Sequence, residues 1–280
     1  MELKKIINES GFKFNKRFGQ NFIDNDELLS NIVSSAGVTE NDTVLEIGAG
    51  GGTLTRKLAQ IAKKVYAYEI DTNLKPVLKR TLDGVSNVQV FFQDFMRSDL
   101  AEFEKKIDGE YIVVANIPYY ITSPIVMKLI EESQKCKRIV VMIQKEVADR
   151  FCAMPATPEY GAITAAIAIW GSAKTTLNVS REYFFPRPDV DSAVVRIDKN
   201  YDDIGLESKK AYRAVVRAAF SSRRKTLANN LMNNFKISRT EAENLLSSCG
   251  IDVKARGETL DSSAFITLAN AAMKTIKNIG

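Results

Sequence analysis

The chain has 280 residues, 45% of them apolar and 26% charged, with 39 basic against 34 acidic side chains and no histidine. That length buries a full core without staples and suits one or two domains. The missing histidines exclude an imidazole base or His-based triad and leave no metal expected, while the scattered Cys136, Cys152 and Cys249 fit a reducing cytoplasm better than a disulfide framework.

In chain order, residues 1–21 are polar and basic, without the apolar stretch of a signal peptide. The longest apolar run, 162–170, is too short to span a bilayer, so no membrane partner is expected. Helical apolar spacing predicts helices over 28–36, 54–61, 73–82 and 125–132, the last with Ser123 as cap and Pro124 at its first position. Between them lie short apolar strands at 44–47, 65–70, 88–92, 111–115 and 138–143. Strands apolar throughout and separated by helices predict a mostly parallel sheet covered on both faces. After Trp170 two strands are predicted, 175–179 and 192–197, around the loop Phe184-Phe185-Pro186-Arg187-Pro188. Beyond Tyr201 only helices are expected, over 209–220, 224–235, 239–247 and 263–274. The acidic, Gly-containing segment 201–205 therefore marks a boundary between a domain over 1–200 and another over 206–280. From 208 to 227 there are seven basic residues and no acidic one, which reads as a phosphate-facing patch around Arg223, Arg224 and Lys225; a solvated helix face is the alternative.

The sharpest local pattern is Gly48-Ala49-Gly50-Gly51-Gly52, directly after a strand and before a helix. Glycines there let the chain turn tightly and let a ligand approach without meeting a Cβ. A dinucleotide fingerprint would need a third glycine at position 53, which is Thr53. Gly48, Gly50 and Gly52 instead suit an adenosine-bearing ligand with no pyrophosphate, although alone they equally describe a flexible turn. Glu69 closes the next strand, 21 residues after Gly48, where it can accept from both ribose hydroxyls. Asp94 follows the third strand and can accept from an adenine amino group. Either carboxylate alone also fits an ordinary strand end.

Asn116-Ile117-Pro118-Tyr119 follows the strand at 111–115. An adenine N6 lone pair is delocalised into its ring and is a poor nucleophile. Acceptors that favour a tetrahedral nitrogen prepare it for in-line attack on a sulfonium methyl. The Asn116 side-chain oxygen is one such acceptor, and the carbonyl of residue 117 or 118, stiffened by Pro118, is the second. Tyr119 can stack on the adenine, with Phe184 as candidate for the opposite face. Without the upstream carboxylates and glycines, the same four residues would read as a tight turn with Tyr119 in the core.

At this point the chain resembles the ribosomal RNA adenine dimethyltransferase family, in its small-subunit branch, the kasugamycin-sensitivity methyltransferases. The resemblance runs nearly end to end. It rests on Lys16-Arg17-Phe18-Gly19-Gln20-Asn21-Phe22-Ile23, the glycine loop, Tyr68-Glu69-Ile70-Asp71, Asn116-Ile117-Pro118-Tyr119-Tyr120, Phe184-Phe185-Pro186-Arg187-Pro188-Asp189-Val190-Asp191-Ser192 and Ser222-Arg223-Arg224-Lys225-Thr226. It implies a class I, Rossmann-like α/β fold with a mostly parallel seven-stranded sheet and a small all-helical C-terminal domain. It also implies S-adenosyl-L-methionine as cofactor, S-adenosyl-L-homocysteine as product, and cofactor contacts on Asn21, Ile23, Gly48, Glu69, Asp94 and Asn116. The implied substrate is a pair of adjacent adenosines in the loop of the 3′-terminal hairpin of small-subunit rRNA, each dimethylated at N6 in an immature 30S particle. A cytoplasmic monomer is expected.

Two residues depart from the family's pattern. Ala49 stands where proline is usual, and Tyr120 where bacterial members usually carry asparagine; the second is expected to affect packing behind the target base rather than chemistry. The sister branch that modifies a single large-subunit adenosine is disfavoured by the Arg223-Arg224-Lys225-Thr226 motif. A DNA adenine methyltransferase would need a larger recognition domain, and a catalytically silent assembly factor would not need intact Glu69, Asp94 and Asn116.

Overall fold

The computed structural model describes residues 3–15 and 19–276. Its elements run α1 (Leu3–Glu9), β1 (Phe22–Ile23), α2 (Asp26–Ala36), β2 (Thr43–Ile47), α3 (Thr53–Ala59), β3 (Lys64–Glu69), α4 (Lys75–Thr81) and β4 (Val88–Phe92). There follow α5 (Leu100–Glu104), β5 (Tyr111–Asn116), α6 (Thr122–Glu132), β6 (Cys136–Gln144), α7 (Lys145–Phe151), α8 (Ala162–Ala168), β7 (Gly171–Val179), β8 (Phe184–Phe185) and β9 (Ser192–Lys199). The chain ends in α9 (Lys209–Ala219), α10 (Leu227–Phe235), α11 (Arg239–Ser248) and α12 (Ser262–Thr275).

Seven strands form one sheet in the order β4-β3-β2-β5-β6-β9-β7. The pairs β2–β3, β2–β5, β3–β4 and β5–β6 are parallel, and β9 runs antiparallel to β6. From β2 the chain builds outward through β3 and β4, then starts again on the other side of β2 with β5 and β6. The order reverses between β2 and β5, where Ile47 lies opposite Ala115. Crevices outside the carboxyl ends of strands at such a reversal are where open α/β sheets bind ligands. The central strand β2 is buried along its whole length, which is why it reads as apolar apart from Thr43 at its start and Glu46.

Local chemistry sets the helix starts. Asn25 Oδ1 accepts from the Leu28 N–H at 2.8 Å to open α2, and Gly37 in the left-handed region closes it. Ser208, Thr226, Ser238 and Asp261 cap α9, α10, α11 and α12 in the same way. Ser123 and Pro124 lie inside the first turn of α6, two positions further into the helix than predicted, because a single 3₁₀ turn at Tyr119–Ile121 feeds the helix directly at Thr122.

The chain divides into two compact units, Met1–Ala148 with Ala173–Lys199, and Asp149–Ser172 with Asn200–Gly280. The expected division into 1–200 and 206–280 therefore needs correction over 149–172. Tyr160 and Ala165 from that segment are buried with Tyr212, Val216, Leu231 and Phe265 in the core of the second unit. The Tyr212 hydroxyl also donates to the Ala165 carbonyl at 3.0 Å. Being a short apolar helix, α8 has no local signal for which core it joins. Two further short elements, β1 and β8, pair antiparallel, with Phe22 opposite Phe185 and Ile23 opposite Phe184.

Candidate active site

At the carboxyl end of β2 the N–H groups of Gly48 and Ala49 both donate to the Tyr68 carbonyl, at 2.9 and 3.0 Å, turning the chain over the neighbouring strand. Gly48 has φ 82°, and a Cβ there would lie 3.2 Å from the Asn116 carbonyl oxygen. Only glycine allows both that backbone conformation and that approach. The glycine loop and the Asn116-Ile117-Pro118-Tyr119 turn are thus brought side by side at the strand-order reversal. They open onto a cleft also walled by Asn21, Ile23, Glu69 and Asp94.

Glu69 is buried. Its Oε2 accepts from the Gly50 N–H at 2.7 Å and its Oε1 from the Asp71 N–H at 2.8 Å. Burial raises its pKa, against the pull of these backbone donors. A carboxylate has about four lone-pair sites, so two backbone bonds leave acceptor capacity on each oxygen. Asp71 is held in turn by Gln20 Nε2 at 2.8 Å, which ties the N-terminal segment to this strand end. Asp94 Oδ1 accepts from the Met96 N–H at 2.9 Å, capping a 3₁₀ turn and leaving its carboxylate at the cleft.

Asn116 Nδ2 donates to the Asn21 carbonyl at 3.3 Å, and no described donor reaches Asn116 Oδ1. The amide is therefore oriented with its acceptor end available. Pro118's carbonyl already accepts from the Ile121 N–H at 3.2 Å and the Thr122 hydroxyl at 3.4 Å. Of the two carbonyls considered as second acceptor, Ile117's is the one not consumed by the turn. The Tyr119 hydroxyl bonds Ser192 Oγ at 2.9 Å, and burial raises its pKa, so the ring enters the cleft as a neutral phenol.

Several expectations need correcting. Gly52, at φ 81°, is not part of the cleft wall. A Cβ on it would meet Leu78 at 2.9 Å, so it starts α3 and packs against α4. Phe184 is only 5% exposed and packs with Ile23, Leu29, Met142 and Val194. Pairing of β8 with β1 turns it into the core, so this geometry offers no second stacking face from Phe184. Tyr120 is 67% exposed and cannot act through packing behind the target base. In the second unit Arg223, Arg224 and Lys225 are all exposed, but Arg223 Nη2 also donates to the Tyr160 carbonyl at 2.9 Å, a bond internal to the fold that Arg224 and Lys225 do not make. Glu243 pairs with Arg239 and Glu241 caps its own helix, so neither neutralises the Arg223–Lys225 segment. Lys16, Arg17 and Phe18 of the N-terminal motif lie outside the described residues.

Residue-level reading missed Glu46. It is fully buried on β2, lines the cleft, and neither carboxylate oxygen has a partner among the described residues. Burial pushes its pKa up to about 8, with the nearby Thr55 hydroxyl opposing and the Glu69 charge adding. The signal was present: a carboxylate inside an otherwise apolar central strand, two residues before the glycines. Among the described residues, no group of three potential ligands could hold a metal ion, and no helix is long and apolar enough to cross a membrane.

A seven-stranded sheet of this order, with a glycine loop at its reversal, defines a class I methyltransferase fold. A dimethyladenosine transferase from Plasmodium falciparum shares it, with TM-score 0.76 and 27% identity over 91% of this chain and 98% of that one. The 23S rRNA methyltransferase ErmE superposes with TM-score 0.68, at 27% identity over 90% and 99% of the two chains. Residues 11–274 match the family described as ribosomal RNA adenine dimethylase. The ribosomal RNA small subunit methyltransferase A of Geobacillus thermodenitrificans is 44% identical over 96% of this chain and 94% of its own length. That of Bacillus licheniformis is 45% identical over 95% and 94%. The chain belongs to the ribosomal RNA adenine dimethylase family.

Proposed function

We propose that the protein is an S-adenosylmethionine-dependent adenine-N6,N6-dimethyltransferase of small-subunit rRNA. It acts as a cytoplasmic monomer on two adjacent adenosines in the 3′-terminal hairpin loop of an immature 30S particle. The observation that carries this reading is the meeting, in one cleft, of a glycine loop, a buried ribose-type carboxylate and an asparagine whose acceptor oxygen is free. Beneath the cleft, the buried and unpartnered Glu46 carboxyl group is held in its neutral form, which keeps the charged acceptors of the site to Glu69 and Asp94.

S-adenosylmethionine, when bound, supplies an electrophilic sulfonium methyl group. Glu69 accepts the ribose hydroxyls on its remaining lone pairs, and Asp94 accepts from the cofactor's adenine amino group. Asn21, Ile23, Gly48 and Gly50 shape the surrounding wall. Asn116 Oδ1 and the Ile117 carbonyl accept the two hydrogens of the target N6, favouring the tetrahedral nitrogen that the transition state requires. Pro118 stiffens that turn, and the Tyr119 ring stacks on the target base. Arg224 and Lys225 contact rRNA phosphates.

Mass spectrometry of both rRNAs, from cells with and without the gene, tests the reading. Two adjacent N6,N6-dimethyladenosines in small-subunit rRNA should vanish with the gene and return when purified protein and S-adenosylmethionine are added to the unmethylated particles. Loss confined to large-subunit rRNA, or no loss, overturns it.

A further inference from the structure

The cleft carries two consecutive tyrosines with opposite environments. Tyr119 points inward and is pinned through its hydroxyl to Ser192 Oγ at 2.9 Å. Tyr120 is 67% exposed, more than any other aromatic side chain among the described residues, yet it belongs to the wall of the same cleft. Its ring edge, Cε1, is 3.9 Å from where a Cβ on Gly19 would stand, which puts the ring at the mouth beside the N-terminal segment. Isolated exposed aromatics are ordinary on protein surfaces. An aromatic at the mouth of a cleft read as receiving an extruded base is placed where an unstacked neighbouring base must lie.

Extruding a base removes a stacking partner from the nucleotide beside it, at a cost in unstacking energy. An exposed aromatic face offsets that loss with little regard to base identity. We propose that Tyr120 is the stacking platform for the nucleotide adjacent to the adenine being methylated, holding the strand open at the mouth while the target lies against Tyr119. This rests on the reading of an RNA adenine as substrate. Tyr120 acts on RNA binding and not on the transfer itself, so its removal raises KM for RNA and spares cofactor affinity.

The test uses the full chain and unmethylated small-subunit particles, comparing wild type, Tyr120→Ala and Tyr120→Phe. Loss of one base–aromatic stack is expected to raise KM for the particles about 5- to 150-fold. In Y120A, kcat should stay within about twofold, and affinity for S-adenosylhomocysteine and melting temperature should match wild type. Y120F should restore KM, because the ring and not the hydroxyl is used. An unchanged KM in Y120A, or a Y120F as defective as Y120A, overturns the proposal while wild-type turnover upholds the substrate. A wild type that transfers no methyl group to the particles removes the substrate reading, and the proposal with it.

Discussion

Asn116 has a divided amide, one end bonded to the Asn21 carbonyl and the other open to the cleft. Asn116→Ala removes an acceptor whose value rises as the target nitrogen becomes tetrahedral, so turnover should fall on the order of 100-fold or more. The lost bond to Asn21 should change S-adenosylhomocysteine affinity by only a few-fold. Near-normal turnover of purified N116A would remove Asn116 from the reaction. Glu46 gives a prediction in pH. Its pKa is raised to about 8 in the fold, with burial the main cause, so the folded state favours the protonated form. Its stabilising contribution is complete below the unfolded carboxyl range, declines as pH rises from about 4.5, and is spent by about pH 8. Glu46→Gln, which stays neutral, should therefore gain stability relative to the wild type across that window, by an amount on the order of a few kcal/mol. Melting curves of both ligand-free proteins from pH 5 to 9 check this; parallel curves would mean that Glu46 is ionised and paired.

The critical elements are the turns at the carboxyl ends of β2 and β5. They touch because Gly48 lacks a Cβ, and the same contact holds the glycine loop against the Asn116 turn. Gly48→Ala forces a left-handed conformation on an L-residue, at about 1–2 kcal/mol, and crowds the Asn116 carbonyl. The expected result is a drop of a few degrees in melting temperature, together with weakened binding of S-adenosylhomocysteine by calorimetry. A variant that melts like the wild type and binds equally well would show that the loop relaxes without disturbing the site.

For the whole molecule, a net charge of +5 is modest, and placement matters more than amount. Within the basic run all three of Arg223, Arg224 and Lys225 are exposed, and only the Arg223 guanidinium also holds the Tyr160 carbonyl. The double change Arg224→Ala, Lys225→Ala should weaken binding to small-subunit particles and flatten the plot of log K against log salt by up to about 1.4 to 1.8, with melting temperature unchanged. Arg223→Ala should instead lower the melting temperature, since it leaves a carbonyl of the second unit without its donor. A double variant with an unaltered salt slope would move the phosphate contacts elsewhere.

Much of the molecule is written in local chemistry. Apolar runs of strand length, helical spacing between them, side-chain caps such as Asn25 and Ser208, and glycines after β2 act over a few residues. The parallel sheet, the terminal helices and the positions of Glu69, Asp94 and Asn116 at strand ends were accordingly legible. Tertiary structure decided whatever depends on which distant group arrives. Tyr160 and Ala165 draw 149–172 into the helical unit, and β1 turns Phe184 inward. Leu78 claims the space beside Gly52, Tyr160 takes Arg223, and the turn into α6 uses up the Pro118 carbonyl. Burial of Glu46 without a partner likewise emerges only once β3 and β5 flank β2. The physical reason is common to all of these: composition and spacing determine what a residue can do locally, but burial and hydrogen-bond satisfaction are properties of neighbours brought together only by the fold.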